Sequence, residues 1–165
     1  VVVRQAKGDN MNVETETGSL KGRILEEMKH AMRAQAKERL GVIRLMQAAM
    51  KQQEVDERIV LNDEQVLAIL DKMIRQRKEA IVQFEAGHRE DLVAKESFEI
   101  QVIQEFLPEP LSTEAVQVLI TEAIQEVGAS SIRDMAKVMA ILKPKLQGRA
   151  DLGGVSSLIK NLLST

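Results

Sequence analysis

Apolar residues recur at three- and four-residue intervals along most of this chain, and no stretch sustains the alternation of a strand. Leu20, Ile24, Met28, Ala31 and Met32 form one helical stripe, and Leu40, Ile43, Met46, Ala49 and Met50 form a second. No good cap marks the break near Gln35-Ala36-Lys37, so the two stripes read as one bent helix or as two. Asn62, with Gln65 three residues on, opens the next helix in the manner of a capping box. Val66, Ile69, Leu70, Met73, Ile74, Arg77, Ile81 and Phe84 follow at helical spacing, and Gly87 is the expected stop. Leu92, Val93, Phe98, Ile100, Val102, Ile103 and Phe106 predict a further helix that halts before Pro108.

Pro108-Glu109-Pro110 is the strongest break in the chain, because proline fixes its own φ and pushes the preceding residue out of the helical region. Beyond it, Ser112 caps a helix bearing Val116, Leu119, Ile120, Ala123, Ile124 and Val127, with Gly128 placed as a left-handed terminator. Ser131 stands three residues before Asp134, a capping box with Asp in place of Glu or Gln. Met135, Val138, Met139 and Leu142 carry the helix that follows, which Pro144 is expected to end, and a last helix is expected from about Gly154 to Leu163. The pattern predicts an all-α fold with two subdomains: an N-terminal helical cradle over 20–109 and a C-terminal three-helix unit over 110–165. Val1 to Ser19 lacks periodicity and reads as a disordered leader or an expression remnant. It is not a signal peptide, since no apolar run follows a basic start.

Composition narrows the core and the chemistry. Apolar residues make up 44% of the chain but aromatics only 2%, so the interior must be built from Leu, Ile, Val, Met and Ala. The eight methionines then read as packing in an aromatic-poor core. With no cysteine, disulfides, thiolate zinc sites and cysteine nucleophiles are excluded, and a reducing cytoplasmic setting fits. The apolar runs fall far short of the roughly 20 residues that span a bilayer, and no membrane partner is expected.

Charge is segregated. Residues 20–60 carry nine Lys and Arg against six Asp and Glu, residues 61–127 carry six against fourteen, and residues 128–165 carry six against two. Two basic ends thus flank an acidic middle, which the net charge of −2 conceals. The C-terminal cations are Arg133, Lys137, Lys143, Lys145, Arg149 and Lys160. As a site they would neutralise phosphates, with affinity that falls steeply with salt because each contact releases a counterion. The alternative is an ordinary solvated surface whose Lys143 and Lys145 compensate a helix C-terminus. Stacking on single-stranded bases uses aromatic side chains, and the C-terminal unit has none; any RNA bound there is read through backbone and shape. Lys37, Arg39, Arg44 and Lys51 on the early helices, and Arg75, Arg77 and Lys78 beside Glu79, read as partners in ion pairs. Arg77 lies on the apolar stripe and is expected to be partly buried against Glu96 or Glu99.

No catalytic residue is assigned. His30 and His88 are the only histidines, and no nucleophile, base and orienting group can be read around either. Ser130, Ser131, Ser156 and Ser157 fit caps and turns. Glu85, Glu90, Asp91, Glu96, Glu99 and Glu105 fit a solvated helical face, and no Gly-x-x-x-x-Gly-Lys loop signals a nucleotide. Neither a metal nor a small-molecule cofactor is expected.

Several ordered motifs carry a resemblance. Gly128-Ala-Ser-Ser131, Asp134-Met-Ala-Lys-Val-Met139 and Gly148-Arg-Ala-Asp151 are similar to the C-terminal signature of the GatB/YqeY family. Lys37-Glu-Arg-Leu-Gly-Val-Ile-Arg44 resembles its N-terminal motif. Arg77, Glu79, Ile81 and Phe84, then Gly87-His-Arg-Glu-Asp-Leu92, resemble its middle motif, and Phe106-Leu-Pro-Glu-Pro-Leu111 its central break. The similarity covers about residues 20–163. Two positions depart from it: Ala136 stands where the family usually has Gly, and Leu152-Gly153-Gly154 follows the Gly-Arg-Ala-Asp motif where the family has Gly sooner. The resemblance implies a relation to the tail of the B subunit of glutamine-dependent tRNA amidotransferase, which helps hold tRNA while other domains perform the chemistry. It associates the chain with carbon–nitrogen ligase activity using glutamine as amido donor, although no residues for that reaction are found here. The expected function is a tRNA-binding accessory module that is not catalytic alone. The alternative is a protein-interaction module that docks a basic protein partner on its acidic middle.

Overall fold

The computed structural model describes residues 18–164. The expected leader lies outside the described residues except at its end, where Ser19 Oγ accepts a hydrogen bond from Gly22 N at 3.0 Å and caps the first helix. The described residues form seven α-helices, one short 3-10 turn and no strand. In order these are α1 (Leu20–Arg33), α2 (Lys37–Glu57), α3 (Asp63–Ala86), α4 (Glu90–Gln104), α5 (Thr113–Val127), the 3-10 turn Ile132–Asp134, α6 (Met135–Leu146) and α7 (Leu152–Leu163). The fold is all-α. The chain divides into two compact units, and the boundary between Val66 and Leu67 falls inside α3.

In the first unit, α1 packs on α2. They are separate helices: Gln35 takes φ 54° between them, a left-handed conformation that helix geometry cannot absorb. Ile24 and Ala31 of α1 and Val42, Ile43, Met46 and Met50 of α2 are buried. Lys21 of α1 pairs with Glu54 of α2, and Arg39 of α2 meets Glu27 of α1 at 3.0 Å. The Glu54 carboxyl is held below the usual carboxylate range, first by the hydrogen bond from Lys21 and further by the Leu61 N–H.

The caps read from sequence appear where local chemistry demanded them. Asn62 N donates to Gln65 Oε1 and Gln65 N to Asn62 Oδ1, both at 2.9 Å, a reciprocal box at the start of α3. Ser112 Oγ receives Ala115 N at 3.2 Å, and Gly128 ends α5 at φ 61°. Asp134 Oδ2 accepts from Ser130 N at 3.0 Å and Ser131 N at 3.3 Å, which holds its carboxyl below the usual range.

Helix α3 stops at Ala86, directly before Gly87 as expected, and the left-handed residue of that turn is His88, at φ 55°. Two expectations are corrected. Helix α6 does not stop at Pro144 but continues to Leu146. Proline inside a helix costs about 3 kcal/mol, yet Val138, Leu142 and Leu146 are fully buried one turn apart. Each leucine contributes about 1.5–3 kcal/mol on burial, enough to keep the final turn wound. Helix α7 begins at Leu152, two residues before Gly154, because Asp151 caps it, accepting Gly153 N at 3.1 Å and Gly154 N at 3.3 Å.

The second unit buries Ile69, Leu70, Met73 and Ile74 from α3 and Val102 and Ile103 from α4, with Phe106 just beyond. Helices α3 and α4 are joined by Arg77 Nε and Glu99 Oε2 at 2.7 Å, and Arg77 Nη1 also donates to Met73 O at 3.1 Å. Glu99 is therefore not part of a solvated acidic face; it is buried. Helices α5, α6 and α7 share one core of Val116, Ile120, Ala123, Val138, Leu142, Leu146, Val155, Ile159 and Leu163.

Candidate nucleic-acid interface

The turn between α6 and α7 is where the second unit ties its parts together. Leu111 N donates to Arg149 O at 2.8 Å, and Arg149 Nε donates to Glu109 O at 3.2 Å. Gly148 is buried at φ 73°, and a Cβ there would lie 3.3 Å from Leu107 Cδ2, 3.8 Å from Leu67 Cδ2 and 3.9 Å from Pro108 Cδ. Glycine is thus favoured twice over, by the left-handed backbone and by the close approach. Gly148→Ala is expected to destabilise the fold by about 1–3 kcal/mol, read as a lower urea midpoint at unchanged m-value; a midpoint equal to the parent's would show that the turn relaxes freely.

That turn forms one wall of a cleft of about 630 Å³. Ala68, Asp71, Lys72, Ile74, Arg75 and Lys78 of α3 line the cleft from one side. Lys143 of α6 and the turn from Gln147 to Leu152 line it from another, with Gln104, Leu107 and Pro110 between. Positions 68, 71, 72, 75 and 78 share one helical face, because steps of three and four residues nearly complete a turn. The cleft therefore gathers five cations, Lys72, Arg75, Lys78, Lys143 and Arg149, against two carboxylates, Asp71 and Asp151.

Among the described residues none of the five cations is in an ion pair. Asp151 has both oxygens on the α7 cap. Asp71 is half-buried; burial pushes its carboxyl above the usual range, Arg75 pulls it back, Asp151 raises it and Lys78 lowers it. Five unpaired cations around a concavity form a field that concentrates anions.

Of the six cations singled out in sequence, the structure brings together two in this cleft, Lys143 and Arg149. Lys145 is exposed near the end of α6 but does not line it. Lys143 and Lys145 are two residues apart, so they leave the helix about 200° apart. Arg133, Lys137 and Lys160 are exposed elsewhere on the unit. Sequence reasoning passed over Lys72 and took Arg75 and Lys78 for ion-pair partners, which they are not among the described residues. Their spacing of three was the available signal, but the net charge of the acidic segment masked it.

The sequence matches a known family. Residues 21–163 match the family described as Yqey-like protein. The chain belongs to the YqeY family. An uncharacterized protein of Schizosaccharomyces pombe is 31% identical over 94 residues, 57% of this chain and 76% of that protein. The protein named altered inheritance of mitochondria protein 41, mitochondrial, from Pyrenophora tritici-repentis is 26% identical over 130 residues, 78% of this chain and 71% of its own length. The protein of that name from Saccharomyces cerevisiae (strain YJM789) is 37% identical over 90 residues, 53% of this chain and 49% of its own length. This YqeY-family chain has, among its described residues, no helix long and apolar enough to cross a membrane.

Proposed function

We propose that this protein is a tRNA-binding accessory module whose second unit grips the sugar–phosphate backbone and performs no bond-making step of its own. The supporting observation is the single cleft in which Lys72, Arg75, Lys78, Lys143 and Arg149 stand without carboxylate partners. Cations left unpaired in a concave wall are placed to meet phosphates, and backbone contact of this kind needs no aromatic stacking. None of the cleft-lining residues is aromatic, which agrees with recognition by backbone and shape. The resemblance to the amidotransferase B-subunit tail points the same way, with the carbon–nitrogen ligase chemistry residing in other domains. A reducing compartment that contains tRNA suits the cysteine-free chain, and the cytoplasm is the one proposed.

A titration of purified tRNA against the nuclease-treated chain across a salt series tests this reading. Five phosphate contacts predict a log–log slope of about −3.5 to −4.5. Binding that is absent at low salt, or indifferent to added salt, rejects it.

A further inference from the structure

The cleft contains a group that a plain phosphate-binding wall has no use for. Asp71 sits on the cleft face of α3, one residue before Lys72 and one turn before Arg75. A phosphate held by these cations would meet its carboxylate as a like charge. Asp151, the other carboxylate, is already committed to the Gly153 and Gly154 N–H groups. Asp71 has no hydrogen bond or ion pair among the described residues, and burial disfavours its charged form. No side-chain oxygen among the described residues is shut off from solvent without a partner, so the Asp71 carboxylate is open to a donor that a ligand supplies.

The donor that accompanies phosphates along one kind of strand is the ribose 2′-hydroxyl, which DNA lacks. A hydroxyl donating to a carboxylate makes a charge-assisted hydrogen bond, stronger than a neutral one. We infer that Asp71 reads the sugar: its carboxylate accepts a hydrogen bond from a ribose 2′-hydroxyl of a strand whose phosphates are held by the cleft cations, so that the site prefers RNA to DNA. This inference rests on the polyanion-binding reading above and assigns Asp71 as the specificity-determining residue of that site.

The test compares three probes of one hairpin sequence on the full chain: RNA, DNA, and RNA carrying 2′-fluoro sugars. The fluoro strand keeps the ribose-like helix but lacks the donor, so it separates shape from hydrogen bonding. The parent is expected to bind RNA about tenfold more tightly than fluoro-RNA, a factor typical of one charge-assisted hydrogen bond. Asp71→Ala removes the acceptor and is expected to bind RNA and fluoro-RNA alike. It is also expected to bind DNA more tightly than the parent does, because a repelling charge is gone. Asp71→Asn keeps a carbonyl acceptor and is expected to retain part of the preference. Equal binding of RNA and fluoro-RNA by the parent overturns the assignment while leaving the cleft reading intact, and so does a full preference surviving in Asp71→Ala. Salt-sensitive binding of none of the three probes overturns both.

Discussion

Reversing Lys72, Lys78 and Lys143 together to Glu is expected to lower tRNA affinity on the order of a hundredfold at ~0.1 M salt and to flatten the salt slope by about three. The three side chains line the same cleft, are exposed, and take part in no ion pair among the described residues. Their replacement should therefore change stability by no more than about 0.5 kcal/mol, and a lost affinity can be read as a lost contact. Arg149 is left out of the set because its Nε holds Glu109 O, so replacing it would also disturb the turn. The matched control reverses Lys137, Lys145 and Lys160, which do not line the cleft but change the net charge equally. That variant is expected to lose only a few-fold, through the long-range field alone. Mobility shifts of both variants beside the parent decide the matter. Equal losses from the two sets would show that tRNA answers to overall charge and not to the cleft.

The largest effect on stability is expected from Glu99→Ala, at about 3–5 kcal/mol. Glu99 Oε2 and Arg77 Nε lie 2.7 Å apart, and the side chains are only 10% and 14% exposed. Removing the carboxylate leaves the guanidinium in a poorly solvated position with only the Met73 carbonyl as partner. For a chain of this length the loss corresponds to roughly 6–20 °C in Tm, measurable by circular dichroism. The double variant Arg77→Met with Glu99→Leu removes both charges together and should recover most of the loss, since a buried pair replaced by apolar groups is often neutral. A double variant as unstable as Glu99→Ala would mean that the site depends on packing geometry and not on the unpaired charge.

How much of this was legible in the sequence depended on range. The ends of α3, α5 and the segment before α6 were legible because their caps act across three or four residues: Asn62 with Gln65, Ser112 with Ala115, and Asp134 with Ser130 and Ser131. Where a local rule met a distant one, the distant one won. Pro144 is a strong local stop, but the burial of Leu142 and Leu146 carried the helix past it. Asp151 was read as part of a motif and not as a cap, although its offset from Gly153 and Gly154 held that information.

The candidate site was half legible. Lys143 and Arg149 stood out because their surroundings are basic. Lys72, Arg75 and Lys78 did not, because they sit in a segment with fourteen acidic residues, whereas Arg77 was expected to meet Glu96 or Glu99 and does meet Glu99. The sequence by itself determined that the chain is helical over residues 20–163, where most helices begin, and that thiol chemistry is closed to it. These follow from composition and from contacts a few residues apart. Only the tertiary structure decided which cations share a wall, because the direction a side chain takes is set by its own helix, whereas what it confronts depends on how that helix packs. A charge count along the chain has no knowledge of that packing; the cleft between α3 and the α6–α7 turn exists only once both are folded together.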